Sequence, residues 1–101
     1  MSSIALQVPH QLSKEEAKQR IQQLLSNLKE EQKDIISRVD EEWTGDDCNF
    51  NFSAKGFDVS GTLQINPDHV AITGELPFAL SFFKGMISDL IEQKAKTLLS
   101  N

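Results

Sequence analysis

The chain has 101 residues, 39% of them apolar and 25% charged, a size and balance that fit one globular domain and exclude a disordered chain or a fibre. Ten basic residues against fifteen acidic ones leave a formal charge of −5, which argues against nucleic acid or anionic lipid as the main partner, because both reward clustered Lys and Arg. Cys48 is the single cysteine and has no internal disulfide partner, in keeping with a reducing compartment. Gln7, Pro9, His10 and Gln11 interrupt the first residues before any secretory signal is built, so a cytoplasmic location is expected. The most apolar stretch, Leu76 to Ile91, is broken by Ser81, Lys84, Gly85, Ser88 and Asp89, and no membrane span is predicted.

Ile4, Leu6 and Val8 alternate with Ala5 and Gln7 ahead of Pro9, the pattern of a short edge strand with one buried face. Ser13 and Glu16 have the spacing of a capping box and predict a helix start. From there Ala17, Ile21, Leu24, Leu25, Leu28, Ile35, Ile36 and Val39 fall within an arc of about 120° at helical period, one buried stripe. The polar run from Lys29 to Asp34 leaves the far end of that helix open to fraying or bending.

From Cys48 the period is two. Cys48, Phe50, Phe52 and Ala54 face one way, and after the two-residue link Lys55-Gly56 the alternation resumes with Phe57, Val59, Gly61, Leu63 and Ile65. Asn66 to His69 form a turn, and Val70, Ile72, Gly74 and Leu76 continue in a third meander strand. Pro77 ends that strand and opens a last helix over about Phe78 to Leu98. The predicted fold is one α+β domain in the order β-α-β-β-β-α, an antiparallel sheet with two helices packed on one face.

Loops of two and four residues set the register: Ala54 opposite Phe57, Phe52 opposite Val59, Phe50 opposite Gly61, then Ile65 opposite Val70, Leu63 opposite Ile72 and Gly61 opposite Gly74. Phe50, Gly61 and Gly74 then lie side by side, one ring beside two missing side chains. Either a ring fills that notch, from a helix, from Trp43 or from Phe50 leaning over the glycine, or the three residues line a small apolar pocket between sheet and helices. On the last helix, Ala79, Leu80, Phe82, Phe83, Met86, Ile87, Leu90, Ile91 and Leu98 cover about 180°, wider than one sheet consumes. The helix either lies centrally, between sheet and first helix, or leaves Phe82, Phe83, Met86 and Ile87 as a contact surface for a partner or a second copy.

His10, Cys48, His69, Asp46 and Asp47 are the candidates for ligand or nucleophile chemistry, and their spacing matches no metal geometry. The acidic run Asp40, Glu41 and Glu42, then Asp46 and Asp47, around Trp43 suggests paired carboxylates but lacks the spacing of a calcium loop and reads as a solvated connection. No phosphate loop or nucleophile elbow occurs. No catalytic residue, metal or cofactor is assigned, and the chain is read as a non-enzyme; a hydroxyacyl enzyme using His10 or Cys48 is the lesser reading.

Three segments carry a resemblance: His10-Gln11-Leu12-Ser13 leading into Glu16-Ala17, then Lys55 through Leu63 in the hairpin, then Gly74-Glu75-Leu76-Pro77 before Phe83-Lys84 and Leu98-Leu99. In their order and spacing the chain resembles the polyhydroxyalkanoic acid system family of small bacterial proteins, departing from its pattern at Lys18 and Pro77. The resemblance implies a cytoplasmic protein tied to polyhydroxyalkanoate metabolism or storage granules, and it brings no established reaction. The expected role is an interaction module that meets a granule, a granule protein or its own copy through the last helix. The alternative is a carrier of an apolar or acyl ligand at Phe50, Gly61 and Gly74.

Overall fold

The computed structural model describes residues 2–100. Five strands form one antiparallel sheet: β1 (Ser2–Pro9), β2 (Ile36–Thr44), β3 (Asp47–Ala54), β4 (Phe57–Ile65) and β5 (His69–Leu76). They lie in the order β1-β5-β4-β3-β2. Helices α1 (Lys14–Ile21) and α2 (Leu24–Glu31) follow β1, and a 3-10 segment (Phe78–Phe83) leads into α3 (Lys84–Leu99). The fold is mixed α+β, with the helices on one face of the sheet.

The meander pairs as the alternation requires: Ala54 opposite Phe57, Phe50 opposite Gly61, Gly61 opposite Gly74 and Ile65 opposite Val70. The tight Lys55-Gly56 turn places both residues at positive φ, 54° and 85°, the hand that matches strand twist in two-residue hairpins. β1 returns beside β5, with Ile4 opposite Gly74 and Leu6 opposite Ile72, so its apolar residues join the same face.

One strand is additional to the expected order. Ile36–Thr44 is not the end of a helix and a solvated connection but the edge strand β2, turned into β3 by Gly45-Asp46 and paired Val39 to Phe52 and Trp43 to Cys48. Its register shifts between Ile36 and Arg38, a bulge of the kind that protects sheet edges. The expected single first helix is accordingly two short ones, divided at Gln22 and Gln23, and it ends before the polar run is over. Ser13 caps α1 as its spacing requires, accepting from the Glu16 N–H at 3.2 Å.

The core fills the space between the sheet and the helices. Ile4, Val8, Cys48, Phe50, Phe52, Val59, Leu63, Ile65, Val70, Ile72 and Leu76 meet Ala17, Ile21, Leu24, Leu25, Leu28, Ile87, Ile91 and Ala95 there. α3 touches β1, α1 and α2, which accounts for most of its wide apolar arc. Arg20 bonds the Ser100 carbonyl at 2.6 Å and Glu16 at 2.9 Å, tying the end of α3 to α1.

Candidate interaction surface

The last helix divides its apolar residues between core and solvent. Pro77 caps the 3-10 segment and the Leu80 N–H returns to the Pro77 carbonyl at 2.9 Å. With three residues per turn, positions three apart eclipse, so Leu80 and Phe83 share the inward line while Phe78 and Phe82 lie on the outward flanks. Leu80 is accordingly buried, and Phe78 and Phe82 are 80% and 94% exposed. Met86 in the first turn of α3 is 38% exposed, and Phe57 at the hairpin beneath is 44% exposed.

Of the four residues expected to form the contact surface, Phe82 and Met86 lie in solvent. Phe83 is half-buried against the core, with Lys55 Nζ 5.0 Å from the centre of its ring. Ile87 is a correction: it is buried, because it stands four and eight residues before Ile91 and Ala95 and so shares the inward side of α3 with them. The sequence reading omitted Phe78, whose exposure follows from the 3-10 winding after Pro77, and Phe57, which ends the paired part of its strand. β5 runs into the 3-10 segment at the end of the sheet that holds the Lys55-Gly56 turn, so these rings gather at one tip of the molecule.

The notch over Gly61 is filled from within the sheet. A Cβ built on Gly61 would lie 2.6 Å from Phe50 Cζ, which is where the ring leans; Phe50 itself stacks on Phe52, centroids 6.0 Å apart. Phe50, Gly61 and Gly74 do line a depression, of about 490 Å³, but with Ser3, Ala5, Asn49, Asn51, Ser60, Thr62, Thr73 and Glu75. Those eight alternate with the core-facing row, so the depression opens on the helix-free face and not between sheet and helices.

The polar candidates are engaged elsewhere. His10 is buried; its Nδ1 accepts from the Leu12 N–H at 3.1 Å and its Nε2–H donates to the Asn66 carbonyl at 2.9 Å, which fixes one tautomer and clamps the β1–α1 connection to the β4–β5 turn. His69 pairs with Asp68 at 2.7 Å, and its hydrogen bond holds the Asp68 carboxyl below the ordinary value. Asp46 is held down in the same way by the hydrogen bond from Lys14 at 2.8 Å. Burial, with Glu41 nearby, pushes the Cys48 thiol up to about 11, far from the thiolate a nucleophile needs. Among the described residues no three His, Cys, Asp or Glu side chains are grouped to hold a metal, and no helix is long and apolar enough to cross a membrane.

Among solved structures, TTHA0849 from Thermus thermophilus matches with a TM-score of 0.43 and 13% identity, over 97% of this chain and 92% of that one. No curated protein matches. The family described as "Putative polyhydroxyalkanoic acid system protein" matches residues 4–99, nearly the whole chain and all three segments quoted above. The chain belongs to the polyhydroxyalkanoic acid system family.

Proposed function

We propose that the protein is a non-enzymatic interaction module of the polyhydroxyalkanoate system that meets the surface of a storage granule through the aromatic tip. The observation that carries this reading is the exposure of Phe78 and Phe82, two rings on one 3-10 segment almost wholly in water. Large apolar side chains left in solvent at one end of a domain are characteristic of an interaction site, and membership of the family supplies the setting. Fully burying one such ring is worth about 1.5–3 kcal/mol, so the two together contribute about 3–6 kcal/mol to contact with an apolar surface, set against the entropic cost of association. Phe57, Met86 and the half-buried Phe83 widen the contact.

The test is co-sedimentation with isolated polyhydroxyalkanoate granules, comparing the parent with Phe78→Ser/Phe82→Ser. The parent is expected in the granule pellet and the variant in the supernatant, both folded by circular dichroism. Equal pelleting of the two would refute the aromatic contact. Loss of parent binding after granule proteins are stripped would move the contact to a granule protein, and a concentration-dependent dimer that the variant abolishes would move it to a second copy.

A further inference from the structure

The helix-free face of the sheet carries three rows of side chains across all or most of the five strands: Ser3, Glu75, Ser60, Asn51 and Asp40; then Ala5, Thr73, Thr62, Asn49 and Glu42; then Gln7, Ala71, Gln64, Asp47 and Thr44. The depression of about 490 Å³ lies between the first two rows, floored by the backbone of Gly61 and Gly74. A second of about 470 Å³ lies between the second and third and shares Asn49, Thr62 and Thr73 with it. They adjoin along the row of Asn49, Thr62 and Thr73 as a two-part trough, each part in the volume range of small-ligand sites.

The middle row of the trough, Ala5, Thr73, Thr62 and Asn49, is uncharged, while Glu75 lines the first depression and Asp47 the second. Thr62 and Thr73 bond each other across β4 and β5, which leaves one hydroxyl proton free. The Asn49, Asn51 and Ser60 side chains face the trough with no protein partner among the described residues, so unspent N–H and O–H donors recur there, Ser60 across from Asn51 at strand spacing, about 4.8 Å, and Asn49 two residues along β3 from Asn51. Ala5, Ala71 and the bare glycine backbone leave room beside them for short alkyl groups. The carboxylates of Glu75 and Asp47 in its lining repel an anion.

We propose that this trough binds a neutral ester chain, a short run of hydroxyalkanoate units whose carbonyl oxygens accept from Asn49, Asn51, Ser60 and the threonine pair while their alkyl branches lie over Ala5, Ala71 and the glycine floor. It rests on the polyhydroxyalkanoate setting of the proposed function but not on the aromatic tip, which lies on another part of the molecule. The tip holds the protein on a surface; the trough takes one free chain segment.

The test is a ¹H–¹⁵N NMR titration of the full chain with a short linear 3-hydroxybutyrate oligomer capped as its methyl ester. Shifts are expected at Asn49, Asn51, Thr62 and Thr73, including the asparagine side-chain amides. Affinity is expected to fall at least tenfold in Asn49→Val/Thr62→Val and to stay unchanged in Phe78→Ser/Phe82→Ser. The proposal is overturned if no residue of the trough shifts at millimolar oligomer, or if the shifts gather at Phe78, Phe82 and Met86, which would leave the granule contact standing and remove the trough. An equal response to maltotetraose would overturn the ester class.

Discussion

Gly61→Ala tests how the centre of the sheet is packed. The added methyl group meets the Thr73 carbonyl oxygen first, then Phe50 Cζ at 2.6 Å and Gly74 Cα at 2.9 Å. Two of these three are backbone, which cannot swing aside as a side-chain end can. Overpacking a core costs about 1–3 kcal/mol, and backbone obstruction places this site at the upper end. Removing a glycine from a strand returns roughly 0.5–1 kcal/mol, so the net loss is about 2 kcal/mol. For a domain of this length that lowers the melting temperature by roughly 8–16 °C. Gly74→Ala is the internal control, since its nearest neighbour is the Ser60 carbonyl oxygen at 3.6 Å, ordinary contact, and its melting temperature should hold or rise slightly. Thermal unfolding followed by circular dichroism reads both. Equal shifts in the two variants, or a Gly61→Ala shift of only about 2 °C, would refute the account of the filled notch; Phe50→Leu added to Gly61→Ala should restore only part of the loss, because the Thr73 carbonyl remains in the way.

His10→Ala removes both partners of a buried clamp and leaves the Asn66 carbonyl and the Leu12 N–H unsatisfied, so urea denaturation should show a loss of about 1–3 kcal/mol. Cys48, with its thiol raised to about 11, should label with iodoacetamide at pH 8 only as fast as the chain unfolds; rapid labelling of the native protein would contradict its burial. The carboxyl of Asp46 sits below its ordinary value because of Lys14, so the pair supports the fold above the usual carboxylate range and that support is lost as pH falls through the lowered value. Lys14→Met should move the Asp46 carboxyl back toward the ordinary value in a ¹³C NMR titration, and an unchanged titration would show that the pair does not persist in solution.

The meander and its register were legible because three consecutive strands each keep one dry and one wet face, and loops of two and four residues leave no freedom in pairing. β2 was hidden for a physical reason. As an edge strand it has polar residues on its outer side, and at an inward position it carries Glu41, exposed at the sheet border and accepting from Trp43 Nε1 at 2.9 Å. That carboxylate breaks the period-two pattern, while Ile35, Ile36 and Val39 happen to extend the helical stripe of Leu24, Leu25 and Leu28. The Gly45-Asp46 pair ahead of Asp47, with Gly45 at φ 63°, was the hairpin signal that marked the strand. At the tip, the breadth of the apolar arc pointed to exposed residues, but the four named from it included Ile87, which shares a side of α3 with the buried Ile91, and left out Phe78, one turn before Phe82. The winding changes from 3-10 to α at Lys84, and periodicity alone does not locate such a change. The trough could not be read at all, since outward Asn, Ser and Thr are what any wet sheet face carries.

Adsorption to protein-free polyhydroxyalkanoate particles, measured as an isotherm for the parent and for Phe78→Ser/Phe82→Ser, tests the aromatic contact most directly because no granule protein intervenes. Saturable binding by the parent, weakened at least tenfold in a variant of unchanged stability, is the expected result. Isotherms that superimpose would show that the exposed rings do not make the contact.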